Sequence, residues 1–394
     1  MTEVFLIIFF ISVLLFFLGS GIWVAISMIG VSTIGMMLFT SRPVGDAMAT
    51  TIWGTSSSWT LTALPLFVWM GEILFRTRLS ENLFAGLSPW MQKLPGGLIH
   101  VNVVGCALFA AISGSSAATV ATVGKMSIPA LRKRKYPEKI LLGSLAGSGT
   151  LGLLIPPSII LIIYGVTVQE SIAKLFIAGI IPGIMIALIF MSYVIIWSLI
   201  NKKSMPKYVE NFSFLEKIRK SKQLLPVIIL ISAVIGSIYT GVATATEAAS
   251  LGVVGALILS YFQNSLTIET FKQSLLGATK TSCMIAFILA GSTFLSLAMG
   301  FTGLPRNLAI WIQNMELSPY VLIFVLMIFY IILGMFLDGI SAVVLTMAII
   351  EPITATIKII IGKSCLDLLI FSINEYSSKI FGIVFLLIND QIIT

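Results

Sequence analysis

"FAAISGSSAATVATVG", residues 109–124, is built of Gly, Ala, Ser and Thr in a chain that is otherwise strongly apolar. The 394 residues are 58% hydrophobic and 10% charged, with a mean hydropathy of +1.06. Soluble domains carry roughly a quarter charged residues. Apolar runs long enough for a roughly 30 Å hydrocarbon core recur along the whole length. These features predict an all-α, polytopic membrane protein, in which a small hydroxyl-rich stretch needs a physical reason.

Topology supplies one. Apolar segments fall near 4–40, 47–75, 98–124, 139–168, 171–200, 223–240, 244–263, 275–300, 320–337, 339–362 and 366–389. The N-terminus opens with an acidic residue and reads as a retained helix rather than a signal peptide; 4–40 could cross once or twice. The formal charge of +8 is clustered, with six of 24 Lys and Arg in 125–139 and seven in 202–222. Such clusters mark cytoplasmic loops and turn the reading away from nucleic acid. If 76–97 and 132–139 are both cytoplasmic, the segment between them enters and leaves on one side, which makes 101–125 a re-entrant hairpin. The basic loop 201–222 separates a first membrane half, 1–200, from a second, 223–353, the pattern of inverted-repeat transporters.

Backbone at a hairpin tip is tolerated at membrane depth only where protein or a wet cavity satisfies it. Gly114 allows the turn, while Ser113, Ser115, Ser116 and Thr119 offer oxygens of the kind a hard cation takes. A small-residue surface for close helix packing is the other reading, and on this stretch alone both stay open. A second feature favours the first: "AGSGTLGLLIPPSIILIIYG", 146–165, interrupts an apolar span with Pro156 and Pro157. Two successive prolines remove amide donors and break the helix, as at transport sites. In "LGMFLDGISAVVLTMAIIEP", 333–352, Asp338 precedes Gly339 and is followed by Ser341 and Thr346. A carboxylate in an apolar run needs a cation, a helix N-terminus or a capping role. Glu247 in "YTGVATATEAASLG", 239–252, reads as an interfacial cap or a second polar lining. Cys106, Cys283 and Cys365 read as small buried residues with neither disulfide nor metal spacing. His100 reads as structural. Paired with "SGSS" it gives the alternative of an intramembrane serine hydrolase, and a continuous channel is the third reading; no catalytic or metal-ligating residue is assigned.

The blocks "LPLFVWMGEILFRTRLSENLF", "LPGGLIHVNVVGCALFAAISGSSAATVATVGKMSIPAL", "GSLAGSGTLGLLIPPSIILIIYGV" and "SIAKLFIAGIIPGI" closely resemble the large membrane subunit of tripartite ATP-independent periplasmic (TRAP) transporters, the DctM type. The resemblance runs from about residue 5 to 353. It implies an elevator-type secondary transporter with two re-entrant hairpins and broken helices, not an enzyme, in the bacterial cytoplasmic membrane. It further implies sodium as coupling ion with no other cofactor. The implied partners are membrane lipid, a small DctQ-type membrane subunit and a periplasmic DctP-type binding protein that delivers a small organic acid. By the same resemblance, ions would be held by Ser113, Gly114, Ser115 and Ser116, by Gly149 and Thr150, and by Gly334, Asp338, Gly339 and Ser341. Pro156, Pro157 and Ser158 would face the substrate.

Two departures from that pattern stand out. Ala245 in "TATE" replaces a proline usual in the family, which removes a rigid turn. More seriously, Pro156 lies 42 residues after Gly114. Counted by the same spacing from Gly339, the matching second break is expected near 381, where the family carries Pro-Pro-Val-Gly and this chain has no proline. From about 354 the tail, 354–394, stays apolar but diverges, and a frameshift or truncated copy with impaired transport is the expectation.

Overall fold

A computed structural model describes residues 3–77, 79–206, 212–222, 224–315, 319–334, 339–343 and 346. No strand occurs among them, and the protein is an all-α, many-helix chain. In order the helices are α1 (Glu3–Gly19), α2 (Val24–Phe39), α3 (Val44–Ser56), α4 (Ala63–Phe75), α5 (Leu79–Met91), α6 (His100–Ser113), α7 (Ser116–Lys133) and α8 (Glu138–Gly149). They continue with α9 (Ile159–Thr167), α10 (Ile172–Ile200), α11 (Phe214–Ser221), α12 (Leu225–Tyr239), α13 (Ala245–Phe262), α14 (Ile268–Thr302), α15 (Leu304–Asn314) and α16 (Pro319–Leu333). Of these, α10, α13 and α14 are each long and apolar enough to cross a membrane alone. The contacts divide the chain into two units, each drawing on sequence from both sides of loop 201–222.

One unit holds residues 3–61, 163–170 and the described residues between 281 and 346. Gly21, at φ +77°, turns α1 back along α2, so 4–40 forms two short helices rather than one long span. Phe39 receives Phe5 and Phe9 edge-on, with ring centroids 6.4 and 5.0 Å away, while Phe10 packs against Gly35 and Phe17 against Gly30. These pairings make the two helices antiparallel. Phe10, Met28 and Val31 then bury against Leu295, Met299 and Leu304. At Gly291 an added Cβ would stand 2.8 Å from the Ala25 carbonyl, so a side chain there would force α14 away from α2. The apolar segment expected over 47–75 is not continuous. It breaks at Ser57–Ser58 between α3 and a short 3-10 turn, Trp59–Thr62. Hydroxyls of Thr50, Thr51 and Thr55 bond back to carbonyls three or four residues earlier in α3, a habit that bends and weakens helices.

The other unit holds 62–162 and 171–280. Here α4 lies along α13, and α6, α7 and α8 pack on one another. Residues 76–97, which fall between the apolar segments read from the sequence, contain α5, whose Leu83 and Leu87 are buried. Its apolar stripe is short and interrupted by Pro89, which hides it from periodicity. Helix α13 begins with a capping box: the Thr244 hydroxyl accepts from the Glu247 N–H, and the Glu247 carboxylate accepts from the Thr244 N–H at 2.8 Å. Glu247 is therefore the exposed cap of the two readings left open. Cys106 is buried as expected, whereas Cys283 is exposed on α14, because one face of that long helix is left uncovered. Asp338, Cys365, the tail 354–394 and the position near 381 lie outside the described residues.

Candidate functional site

The stretch 109–124 forms the tip of a helical hairpin. Helix α6 stops at Ser113 because Gly114 adopts φ +57°, the left-handed conformation that glycine enters without steric cost, and its N–H returns to the Ala110 carbonyl at 3.0 Å. Ser115 is extended, and its hydroxyl caps α7 by accepting from the Ala118 N–H at 3.5 Å. Within the turn the Ser113 and Thr119 hydroxyls are 2.9 Å apart. Both donate to the Ser115 carbonyl, at 3.2 and 2.7 Å, and the Thr119 N–H joins them at 3.0 Å. One backbone oxygen thus receives three donors supplied by its own hairpin.

Opposite the tip lies the broken helix. After Gly149 the chain tightens into a 3-10 turn, Thr150–Leu153, and the Leu151 carbonyl accepts from both Leu154 and Ile155, at 3.1 and 2.9 Å. Pro156 and Pro157, joined by a cis bond, bring no N–H, and α9 starts at Ile159. The Ser158 hydroxyl donates to the Leu153 carbonyl, and that of Thr150 to the Gly147 carbonyl at 2.7 Å. Tip and break touch through backbone: the Ile159 N–H donates to the Gly114 carbonyl at 3.3 Å. Only glycine permits that approach. A Cβ on Gly114 would stand 2.8 Å from the Pro157 carbonyl oxygen, and one on Gly152 would stand 2.7 Å from that of Ser115; a Cβ on Gly149 would collide with Val120. Ser113, Gly114, Gly149, Thr150, Pro156, Pro157 and Ser158 are buried, while Ser115 and Ser116 are partly exposed. The structure therefore gathers these nine expected residues in one unit.

Two residues that the sequence reading did not single out hold this arrangement. Tyr136, between α7 and α8, accepts the Leu98 N–H at 3.0 Å and so ties the hairpin's exit to its entry. Its burial pushes the phenol above its ordinary value, which keeps the hydroxyl neutral. Asn102 on α6 donates to the Leu141 carbonyl and the Ser144 hydroxyl at 3.3 and 3.0 Å, fixing α6 to α8. A tyrosine in a basic loop and an asparagine in an apolar run offered only faint signals, because their partners are 38 and 39 residues distant in the chain. His100 is buried at the start of α6, with Nε2 2.7 Å from the Pro95 carbonyl. Helical rise sets it roughly 20 Å from Ser113 at the other end of α6. The serine–histidine pair needed for hydrolysis is not formed.

The second cluster belongs to the other unit. Gly334 ends α16 with its N–H on the Tyr330 carbonyl at 2.9 Å; Gly339 and Ser341 lie in a helical stretch over 339–343, where Ser341 is buried. The Tyr330 hydroxyl meets that of Thr346 at 2.6 Å, fastening this stretch to α16.

The chemistry of the hairpin and break follows from their helix ends. The C-termini of α6 and α8 bring carbonyls and partial negative charge, while the N-termini of α7 and α9 bring amides and partial positive charge. Hydroxyl and carbonyl oxygens suit a hard cation, and the amide ends suit an anion without Lys or Arg.

The family model described as "Tripartite ATP-independent periplasmic transporter, DctM component" matches residues 10–372, beyond the point near 354 where the resemblance was expected to end. The C4-dicarboxylate TRAP transporter large permease protein DctM of Pseudomonas aeruginosa is 32% identical over 314 residues, 79% of this chain and 72% of that protein. The protein of the same name in Rhodobacter capsulatus is 30% identical, covering 90% of this chain and 82% of its own length. The sialic acid TRAP transporter large permease protein SiaM of Vibrio cholerae is 30% identical, with 87% and 79% covered. With a hairpin clamped on a broken helix and a family match over most of its length, the chain belongs to the DctM family of TRAP transporter large permeases, proteins of the bacterial inner membrane.

Proposed function

We propose that this permease moves a small carboxylate inward by sodium-coupled alternating access of the elevator type, on an inverted-repeat scaffold. A periplasmic DctP-type binding protein delivers the acid, a small DctQ-type subunit accompanies the chain in the membrane, and no enzymatic step is involved. The observation that carries the reading is the contact of Gly114 with Ile159, which draws two helix C-termini and two N-termini to one place. Discontinuous helices of this kind present carbonyl ends to a coupling ion and amide ends to an anionic substrate. In this reading Ser113, Gly114, Ser115, Ser116, Gly149 and Thr150 serve an ion, and Gly334, Asp338, Gly339 and Ser341 of the other unit form a separate group with the same task. The substrate carboxylate lies against Pro156, Pro157 and Ser158. Neither 109–124 nor 146–165 contains a Lys or Arg, so the helix ends would supply the positive potential. Relatives named for C4-dicarboxylates and for sialic acid both carry carboxylates, which supports that substrate class.

The test is uptake into proteoliposomes holding the chain and its two partners. Ser115→Ala should raise the sodium concentration for half-maximal uptake roughly ten- to a hundredfold, the effect of losing one oxygen contact to a charge worth about 1.5–3 kcal/mol. Uptake at saturating sodium should persist. Unchanged sodium dependence in both Ser115→Ala and Asp338→Asn would overturn the ion-site assignment.

A further inference from the structure

We infer that α11 lies on the membrane surface, with its bases against anionic lipid headgroups and its apolar edge in the acyl boundary. Phe214, Leu215 and Ile218 sit one, three and four positions apart, so they share one side of α11, and they are 66, 76 and 40% exposed. The rest of the helix surface is basic. Arg219 and Lys222 are exposed, as are Lys202 and Lys203 just beyond α10. Lys217 and Lys220 lie over the rings of Trp90 and Phe212, at 5.3 and 3.9 Å. Glu216, the one acidic residue of α11, is spent on the Ser213 N–H at 2.8 Å. Among the described residues, the surface therefore has an apolar edge beside a net positive charge.

Position decides what covers it. Helix α10 is a full-length apolar span ending at Ile200, and the apolar α12 begins at Leu225. The chain thus leaves and re-enters the bilayer on either side of α11, whose axis is turned 56° from that of α12. Trp90 anchors the helix from α5, its indole N–H donating to the Ser221 hydroxyl at 2.8 Å and its ring meeting Phe214 edge-on at 6.3 Å. Half-exposed tryptophan at this level is usual for the interfacial belt of membrane proteins. An anionic leaflet, hydrocarbon beneath and negative charge above, complements both sides of α11 at once.

The experiment places a nitroxide at Leu215→Cys or at Arg219→Cys in the full chain with its native cysteines replaced by alanine. Each variant is reconstituted in phosphatidylcholine alone or with phosphatidylglycerol. Collision with an aqueous nickel chelate at 215 should fall several-fold when phosphatidylglycerol is present, with collision by oxygen retained, while 219 stays open to the chelate. Equal access at both positions would overturn the inference, as would shielding at 215 that ignores lipid charge. Protection from chelate and oxygen alike would assign the edge to a protein partner and also overturn it. A second measurement leaves the cysteines in place. Mass spectrometry of the purified chain should show phosphatidylglycerol lost on replacing Lys202, Lys203, Arg219 and Lys222 by Gln, and unchanged retention would refute the headgroup contact.

Discussion

Two interruptions of this chain are written in nearly the same letters. "ISGSSAATVATVG", 112–124, becomes a buried, internally bonded hairpin tip; "GTSSSWTLT", 54–62, becomes an exposed break between α3 and a 3-10 turn. Both are rich in small and hydroxyl residues. The first, however, meets a second broken element: Ile159 bonds Gly114, and Gly149 and Gly152 let the backbones close. The second has no such counterpart among the described residues of its unit, and α3 buries none of its side chains. Small residues permit a close approach, and the presence of a partner decides whether it happens.

The sharpest way to break this comparison is to add one methyl group to each stretch. Gly114→Ala should cost several kcal/mol, because left-handed backbone alone costs an alanine about 1–2 kcal/mol and the new Cβ meets the Pro157 carbonyl. Gly54→Ala has open space around it. As a helical position it should gain about 0.5–1 kcal/mol. Thermal unfolding in detergent measures both, and equal shifts would erase the distinction. A middle-sized effect separates side-chain clashes from backbone clashes. Gly149→Ala should lower the melting temperature through Val120 and recover in the double variant with Val120→Ala, whereas Gly152→Ala, which meets the Ser115 carbonyl, should not recover. The smallest effect concerns hydroxyls. Thr119→Val removes one of the three donors to the Ser115 carbonyl and should cost about 1–1.5 kcal/mol. Thr55→Val removes a half-buried contact with Thr293 at 3.1 Å and should cost about 0.5 kcal/mol. Chemical denaturation of the two variants ranks them.

The sequence disclosed the hairpin and the Pro156–Pro157 break because each carries its own local marker: a glycine that must turn, and prolines that cannot donate. The α3–α4 break stayed hidden inside an apolar run, since three serines in a row do not oblige a helix to stop. Helix α5 was missed because a short stripe around Pro89 resembles a loop in composition. At the site, the residues lining tip and break were legible, but not the spending of their hydroxyls. Nothing in the letters of Ser158 or Thr150 says that each donates to its own backbone, because that depends on the carbonyls a break leaves exposed. Tyr136 and Asn102 were invisible for a related reason: each acts across a loop closure that periodicity does not encode.

The Ser115 carbonyl, with its three donors, bears on how the hairpin keeps its shape. An oxygen so provided for is at rest away from water, and the tip needs no guest to hold its shape. In the proposed ion site, a cation that took the Ser115 oxygen would have to displace the Ser113 and Thr119 hydroxyls from it. Occupancy would then be an exchange of partners inside one turn of chain, with a slow-exchanging Thr119 amide as its first witness.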